Sequence, residues 1–222
     1  NRLELFRKKR LTEISKRKGR AVKPSTVNRD VSNLRAMLNK AVEHTKIEVN
    51  PIGRIKLLEE NNVRERVLSQ DEFESLHLHC PPSLKGIVLI GFYLPMRQAE
   101  ILNLTWKEID LKMGFIRLGG ERTKNKIGRN IPLHPRIIEF LRTCPRPIDG
   151  GYVFGNSRRF NRKAYNKAVE SAGIADFNFH DLRHCAINNM RLAGNDHFVI
   201  KQASGAKTDS AFQRYNLVTE QE

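Results

Sequence analysis

The sequence lacks any apolar run approaching the ~20 residues that a helix needs to cross a bilayer. It has only three cysteines, Cys80, Cys144 and Cys185, which are odd in number and widely separated. This pattern argues against a disulfide framework and a cysteine zinc site, and it predicts a reducing, cytoplasmic environment. The chain starts at Asn1, with neither Met nor a signal peptide, so we expect a fragment of a longer protein.

Acidic residues are also scarce, because 24 Asp and Glu stand against 40 Lys and Arg, for a formal net charge of +16. Residues 1–66 hold 18 of the basic residues and 8 of the acidic ones. Such a charge attracts polyanions, of which nucleic acid is the commonest. An anionic membrane surface is the rival, and it is disfavoured because no strongly amphipathic basic helix carries exposed aromatic residues. We therefore expect a nucleic-acid partner and no membrane.

The N-terminal part of the chain predicts one clear helix, over residues 24–44, with Ser25 as its N-cap. Its apolar stripe consists of Val27, Val31, Leu34, Leu38 and Ala41. The basic residues off this stripe are Arg29, Arg35 and Lys40. A solvated basic face is the simpler interpretation, although the overall charge favours phosphate contacts. Residues 6–23 are mostly charged, and we expect a loop or a frayed helix there.

The C-terminal part begins after a polar stretch, residues 59–68, which we interpret as a linker between a domain at 1–58 and a domain at 69–222. Ser69 with Glu72 three residues later is a capping box. Strands at 114–118 and 129–133 would flank a turn-rich loop as an antiparallel hairpin. Further helices are expected at 84–94, 98–106, 135–144, 160–173 ended by Gly173, from N-cap Asn178 onward, and 209–218. The expected fold class is α+β, mainly helical, with a small antiparallel sheet.

One short segment, residues 177–190, gathers His180, Arg183 and His184 into about one helical turn. Residues at i, i+3 and i+4 share a helix face. A zinc-protease pattern would have Glu directly after the first His, and here Asp181 stands in that place. A structural role for these side chains stays open. An anion site at the helix N-terminus is the better physical match, because free N–H groups and the helix dipole already favour negative charge there.

Three further candidate site residues do not indicate a function when each is considered alone. Arg97 with Glu100 three residues later could be a surface ion pair, Lys124 is a turn lysine, and Tyr215 is a tyrosine near the end of the chain. In chain order they stand in the segments MRQAEILNLTWKEID, TKNKIGRNIPLH, FHDLRH and GAKTDSAFQRYN. From about residue 20 to residue 216, this series resembles the tyrosine recombinases, the phage integrase family.

The resemblance implies a role for each of these residues. The residues that would occupy the family's catalytic positions are Arg97, Lys124, His180, Arg183 and Tyr215. Glu100 and His184 would have supporting roles. Two positions differ from the usual family pattern. Pro95 stands where Gly usually precedes the Met-Arg pair, and Ala206 stands where a His or Trp usually follows Gly205.

The implied reaction is site-specific DNA recombination, as in integration of a mobile element such as a prophage, through a 3′-phosphotyrosyl intermediate and religation. It needs no cofactor and no metal. The implied partners are double-stranded DNA and three further copies of the chain, in a homo-tetramer on paired sites, with accessory DNA-bending factors. Residues 1–58 would be part of the family's core-DNA-binding domain. Two alternatives stay open, namely a type IB topoisomerase-like nicking-closing enzyme and a DNA-binding relative weakened by Ala206.

Overall fold

A computed structural model describes residues 2–15, 19–60, 66–123, 127–155 and 159–206 of the chain. The chain divides into two compact units, Asn1–Val63 and Arg64–Glu222. Lys124, Tyr215 and the helix predicted at 209–218 lie outside the described residues. In the part of the chain that is described, no helix is both long enough and apolar enough to span a bilayer.

The first unit contains two helices, α1 (Arg2–Thr12) and α2 (Pro24–Glu43). The predicted helix at 24–44 is confirmed, but its N-cap is Lys23 and not Ser25, because Pro24 occupies the first helical turn. Val27 and Val31 of the predicted stripe are fully buried, whereas Leu34 is 40% exposed. The stripe is therefore covered mainly near the start of α2.

The charged segment at the start of the chain is more helical than the sequence predicts. Arg7 is buried, and its Nη2 donates to the carbonyl of Lys56 (2.7 Å) while its Nη1 pairs with Glu4 (2.9 Å). Leu3 packs with Val31 in a small apolar cluster. These tertiary contacts stabilise α1 up to Thr12, which local propensity alone does not predict.

The second unit is built around a buried helical pair. Its helices are α3 (Gln70–His79), α4 (Pro82–Tyr93), α5 (Gln98–Leu102), α6 (Pro135–Thr143), α7 (Arg162–Ser171), α8 (Asp181–Leu192) and α9 (His197–Ser204). Helix α4 is buried nearly all round and packs against α8. Gly91 permits the close approach, because a Cβ there would lie 3.2 Å from the Leu182 side chain. This packing fixes α8, which carries the His180–His184 segment.

The three-stranded antiparallel sheet has the order β1 (Ile109–Asp110), β2 (Phe115–Leu118), β3 (Arg129–Pro132). Ile116 pairs with Ile131 across the predicted hairpin, which is confirmed. Strand β1 was not predicted from the sequence. Helix α5 ends at Leu102, four residues before the predicted end at Trp106. The expected fold class, mainly helical α+β with a small antiparallel sheet, is confirmed.

The capping signals in the sequence agree with the structure at Ser69 and Gly173 but not at Asn178. The capping box of Ser69 and Glu72 is confirmed, and Gly173 ends α7 with φ +70°. The prediction of Asn178 as N-cap of α8 is wrong, because the N-cap is His180. Asn178 belongs to the preceding turn, where its Oδ1 accepts from the His180 N–H (2.9 Å). The three cysteines form no disulfide.

Candidate active site

The first turn of α8 presents the basic side chains singled out in the sequence. His180 is the N-cap, Arg183 is buried, and the rings of His180 and His184 lie 5.8 Å apart in an edge-to-face arrangement. Asp181 is also buried, and its Oδ2 accepts from the Asn178 N–H (2.9 Å), which closes the turn that leads into the helix. The backbone N–H groups and the dipole of this turn favour an anion.

Arg183 connects three parts of the second unit. Its Nη2 donates to the carbonyl of Ser204 at the end of α9 (2.6 Å), and its Nη1 donates to the carbonyl of Pro95 between α4 and α5. A tight turn surrounds Pro95, because the Met96 N–H donates to the Leu94 carbonyl (2.7 Å). Since Arg183 contacts the backbone oxygen of Pro95, a proline at this position is compatible with the contact.

Arg97 and Glu100 form the second part of the site. The Glu100 carboxylate accepts from the backbone N–H of Arg97 (2.6 Å) and from its Nη1 (3.0 Å). The Arg97 side chain keeps 26% of its surface exposed, whereas that of Glu100 keeps 4%. The pair is therefore no simple surface ion pair. Its carboxylate is held inside the fold and orients a guanidinium that still reaches the surface.

Arg129, at the start of β3, is a buried part of the site that sequence reasoning missed. Its Nη2 donates to Glu100 Oε2 (2.7 Å), and its Nε donates to the carbonyl of Ala203 in α9 (2.9 Å). A signal was present in the sequence. Arg129 and Ile131 occupy the inward positions of β3, and a basic residue at an inward strand position requires a buried partner.

The environment of Glu100 sets its protonation state. Burial pushes the pKa of this carboxyl upward, but the hydrogen bond and charge of Arg129, together with the hydrogen bonds from Arg97, outweigh burial and lower the pKa. Glu100 is therefore an anion at neutral pH and accepts hydrogen bonds from both arginines.

The environment of His180 favours its neutral form. Desolvation of the ring and the charge of Arg183 lower its pKa below the ordinary value, the charge of Arg97 acts in the same direction, and Asp181 opposes them. An imidazole with a lowered pKa is unprotonated near pH 7 and can accept a proton.

Ala206 lies beside this site, just after α9. Gly205 ends α9 with φ +68°, and the methyl group of Ala206 packs near Ile187 and Ile200. The residue also lines a cavity of about 790 Å³, whose wall includes Leu118, Arg129, Phe198 and Lys201.

The predicted site residues fall into three groups. The structure brings Arg97, Glu100, His180, Arg183 and His184 together in the second unit, with Ala206 beside them. Lys124 and Tyr215 lie outside the described residues and stay predictions. The third group, Arg29, Arg35 and Lys40, lies on α2 of the first unit.

In the described part of the chain, no group of three or more His, Cys, Asp or Glu residues is placed to bind a metal ion.

Comparison with known proteins gives consistent matches. The profile of the phage integrase family matches residues 66–222. A shufflon-specific DNA recombinase of Escherichia coli is 31% identical over 215 residues, which cover 95% of this chain and 55% of that protein. The integrase of Salmonella phage P22 is 27% identical, over 83% of this chain and 52% of the relative. The chain thus spans about half the length of these relatives.

The fold also matches solved structures. A lambda integrase dimer bound to a COC′ core site superposes with a TM-score of 0.69 at 19% identity, over 87% of this chain and 60% of that one. At this level of identity the match shows a shared fold. Arg97, His180 and Arg183 lie in the portion that the family profile covers.

Proposed function

The chain belongs to the phage integrase family, and from this premise we propose that it cleaves and rejoins double-stranded DNA at specific sites. The observation that carries the proposal is the grouping of Arg183 and a neutral His180 in the first turn of α8 with Arg97 at the start of α5, two residues after the Pro95 carbonyl that Arg183 contacts. Two fixed guanidinium groups and a helix N-terminus fit a phosphate. A neutral imidazole beside them can take a proton from an attacking hydroxyl.

In the proposed reaction, the Tyr215 hydroxyl attacks a DNA phosphodiester. The phenolic proton passes to His180, the new bond joins the phenolic oxygen to phosphorus, and the 5′-oxygen leaves with a proton from Lys124. Arg97 and Arg183 stabilise the negative charge that gathers on the phosphoryl oxygens. Such preorganised charge commonly supplies the largest share of a rate enhancement.

The second half of the reaction reverses the first. A 5′-hydroxyl from the same or a partner strand attacks the 3′-phosphotyrosyl bond and passes its proton to Lys124, while the phenolic oxygen of Tyr215 leaves with the proton held by His180. The energy of the phosphodiester bond is kept in the intermediate, so each half is a balanced exchange. We propose that recombination follows when the strands come from paired sites held by a homo-tetramer, with accessory DNA-bending factors setting the geometry.

Covalent trapping tests the proposal. The chain is incubated with candidate attachment-site DNA that carries a nick next to the cleavage position, so that a short leaving strand diffuses away. Proteins that cleave remain attached to the DNA under denaturing conditions. A DNA-binding relative without activity would bind and leave no adduct. A type IB topoisomerase-like enzyme would form the adduct and relax supercoiled DNA, but it would not exchange strands.

We propose that residues 1–58 bind DNA and that residues 69–222 catalyse the reaction, with 59–68 as the linker. Arg29 and Lys40 are exposed on α2, which supports phosphate contacts. Arg35 is partly buried, and its Nη2 donates to the carbonyl of Ile55. Its contribution to DNA binding is therefore expected to be smaller than that of Arg29 or Lys40. We propose a cytoplasmic location, because the proposed substrate is cellular DNA.

DNA affinity is expected to fall steeply with salt. Each phosphate neutralised by a basic side chain releases counterions, with a log–log slope of about −0.9 per contact. About six contacts would give a slope near −5. The measurement is fluorescence anisotropy at several salt concentrations, for the native chain and for the double variant Arg29→Gln, Lys40→Gln. The double variant should make the slope shallower by about 2. A flat salt response of the native chain would contradict nucleic-acid binding.

Replacing Ala206 with His is expected to raise the cleavage rate. An imidazole there can donate a hydrogen bond to a phosphoryl oxygen, and Ala206 lines the same cavity as Arg129. A preorganised donor is worth about 10²–10³ in rate in acyl transfer, and we expect the low end or less because Arg97, Arg183 and His180 already surround the phosphate. Single-turnover cleavage of nicked DNA measures the change.

The matched control for this substitution is Ala206→Phe, which fills similar space without a donor. It should leave the rate unchanged or lower it. Equal rates for the His variant and the native chain would mean that position 206 makes no contact with the phosphate, or that Lys207 supplies that contact instead.

A further inference from the structure

Buried contacts around the site form a closed ring. Arg97 bonds to Glu100, Glu100 to Arg129, and Arg129 to the carbonyl of Ala203. The next carbonyl along α9, that of Ser204, accepts from Arg183, which also donates to the carbonyl of Pro95. Pro95 lies two residues before Arg97, so the ring returns to its start. Both arginines proposed to contact the phosphate belong to this ring, and Arg129 is the link that the proposed chemistry does not use.

Within this ring, the Glu100 carboxylate is paired with two positive charges. Glu100 lies between two arginines, with its Oε1 on Arg97 and its Oε2 on Arg129. The three side chains together keep one net positive charge. Without Arg129, the ion pair of Arg97 and Glu100 would be formally neutral and would attract a phosphate less strongly. Removing one of the two partners of this buried carboxylate would also be destabilising.

The end of α9 is matched to the Arg129 guanidinium. The last carbonyls of a helix lack partners within the helix and carry partial negative charge, so a cation there is favourable. Gly205 lies so close that a Cβ would come within 3.1 Å of Arg129 Nη1. Since the φ of Gly205 is +68°, glycine suits both the backbone and the approach of Arg129.

We propose that Arg129 is a positioning residue that joins the Glu100 carboxylate to the C-terminal end of α9. The fixed carboxylate in turn holds the Arg97 guanidinium in place. Arg129 itself does not contact the phosphate. Its effect reaches the DNA through Arg97. The second part of this inference rests on the proposed strand cleavage, whereas the first part concerns the free protein and can be tested without DNA.

The first test follows the carboxyl group of Glu100 in the free 222-residue chain, without DNA. Glutamate is labelled with ¹³C at the carboxyl carbon, the Glu100 signal is assigned with Glu100→Gln, and its pH titration is recorded. Among the described residues, Arg97 of α5 and Arg129 of β3 are the charged groups bonded to this carboxylate. In Arg129→Met the midpoint of the Glu100 titration should move to higher pH. Burial raises the pKa of this carboxyl, and the variant has lost one of the arginines that lower it.

The control variant is Arg136→Met, which removes an arginine of the same unit that pairs with Glu74 and Tyr93. It should leave the Glu100 titration where it is in the native chain. If Arg129→Met is folded by circular dichroism and its Glu100 midpoint equals that of the native chain, the proposed contact is wrong. If Arg129→Met does not fold, Arg129→Lys replaces it. Lysine keeps the charge and reaches only one of the two partners, so a smaller shift in the same direction is expected.

The second test uses nicked DNA and separates cleavage from binding. Arg129→Met should lower the single-turnover cleavage rate by about 10-fold to 10²-fold, as expected for a misplaced reacting geometry. Its dissociation constant for DNA should change much less, and Arg129→Lys should recover part of the rate. Rates of Arg129→Met equal to those of Arg136→Met would overturn the positioning role. If the native chain forms no covalent adduct, the proposed cleavage is wrong. The Glu100 titration would still test whether Arg129 positions the Glu100 carboxylate.

Discussion

Tyr215→Phe is expected to bind DNA like the native chain and to form no covalent adduct. Phenylalanine keeps the aromatic ring and removes only the hydroxyl that would attack phosphorus. Tyr215 lies outside the described residues, and the prediction rests on its place after Arg214 at the end of the family pattern. Trapping on nicked DNA measures the adduct, and fluorescence anisotropy measures binding. We expect complete loss of the covalent adduct and no change in DNA affinity.

The other tyrosines provide the control. Tyr165 is 1% exposed, and burial raises its pKa far above the ordinary value, so its hydroxyl is neither accessible nor easily deprotonated. The Tyr93 hydroxyl accepts from Arg136 (2.8 Å) and Gln70 (3.1 Å). Tyr152→Phe is the matched variant, because this partly exposed residue lies in the same unit and should still form the adduct. An adduct with Tyr215→Phe would mean that another nucleophile acts, and the variants at 93, 152 and 165 would identify it.

Elements with local signals were predictable from the sequence. The hairpin of β2 and β3 has alternating strands around a turn-rich loop, and the capping box at Ser69 depends on residues only three apart. The sequence did not predict α9, although Asp196 caps its start and Gly205 ends it. Phe198 and Val199 are apolar but exposed, so the apolar residues do not form a single buried stripe. The two N-cap errors, at Ser25 and Asn178, are shifts of two residues, within the usual uncertainty of helix ends.

The site was predictable to the extent that its residues are neighbours in the sequence. The Arg97–Glu100 pair and the α8 basic turn are each contained within five residues, so helix geometry places them. The bonds from Arg129 to Glu100 and to Ala203 span 29 and 74 residues. Those bonds depend on how β3 and α9 pack, which periodicity does not determine. Only the inward position of Arg129 on its strand pointed to a buried partner.

Arg183→Lys is expected to lower the single-turnover cleavage rate by about 10²–10³-fold, the range seen when one preorganised donor of an active site is lost. The planar guanidinium donates to the carbonyls of Pro95 and Ser204 at once, and these two bonds fix its plane. Lysine keeps the positive charge but is a flexible point charge without the fork geometry. The decrease in cleavage rate therefore reports the orientation of the Arg183 guanidinium and not its charge.

Two comparisons make the Arg183→Lys result interpretable. Arg191→Lys introduces the same change two turns later on α8, where Nη2 of Arg191 donates to Asn188 Oδ1 (2.9 Å), and it should leave cleavage unchanged. Circular dichroism establishes that both variants are folded, since removing buried hydrogen bonds also costs stability. If folded Arg183→Lys cleaves within about threefold of the native chain, the guanidinium does not orient the reacting phosphate. In that case the grip on the phosphoryl oxygens would fall mainly to Arg97, and Arg97→Lys should then show the large loss.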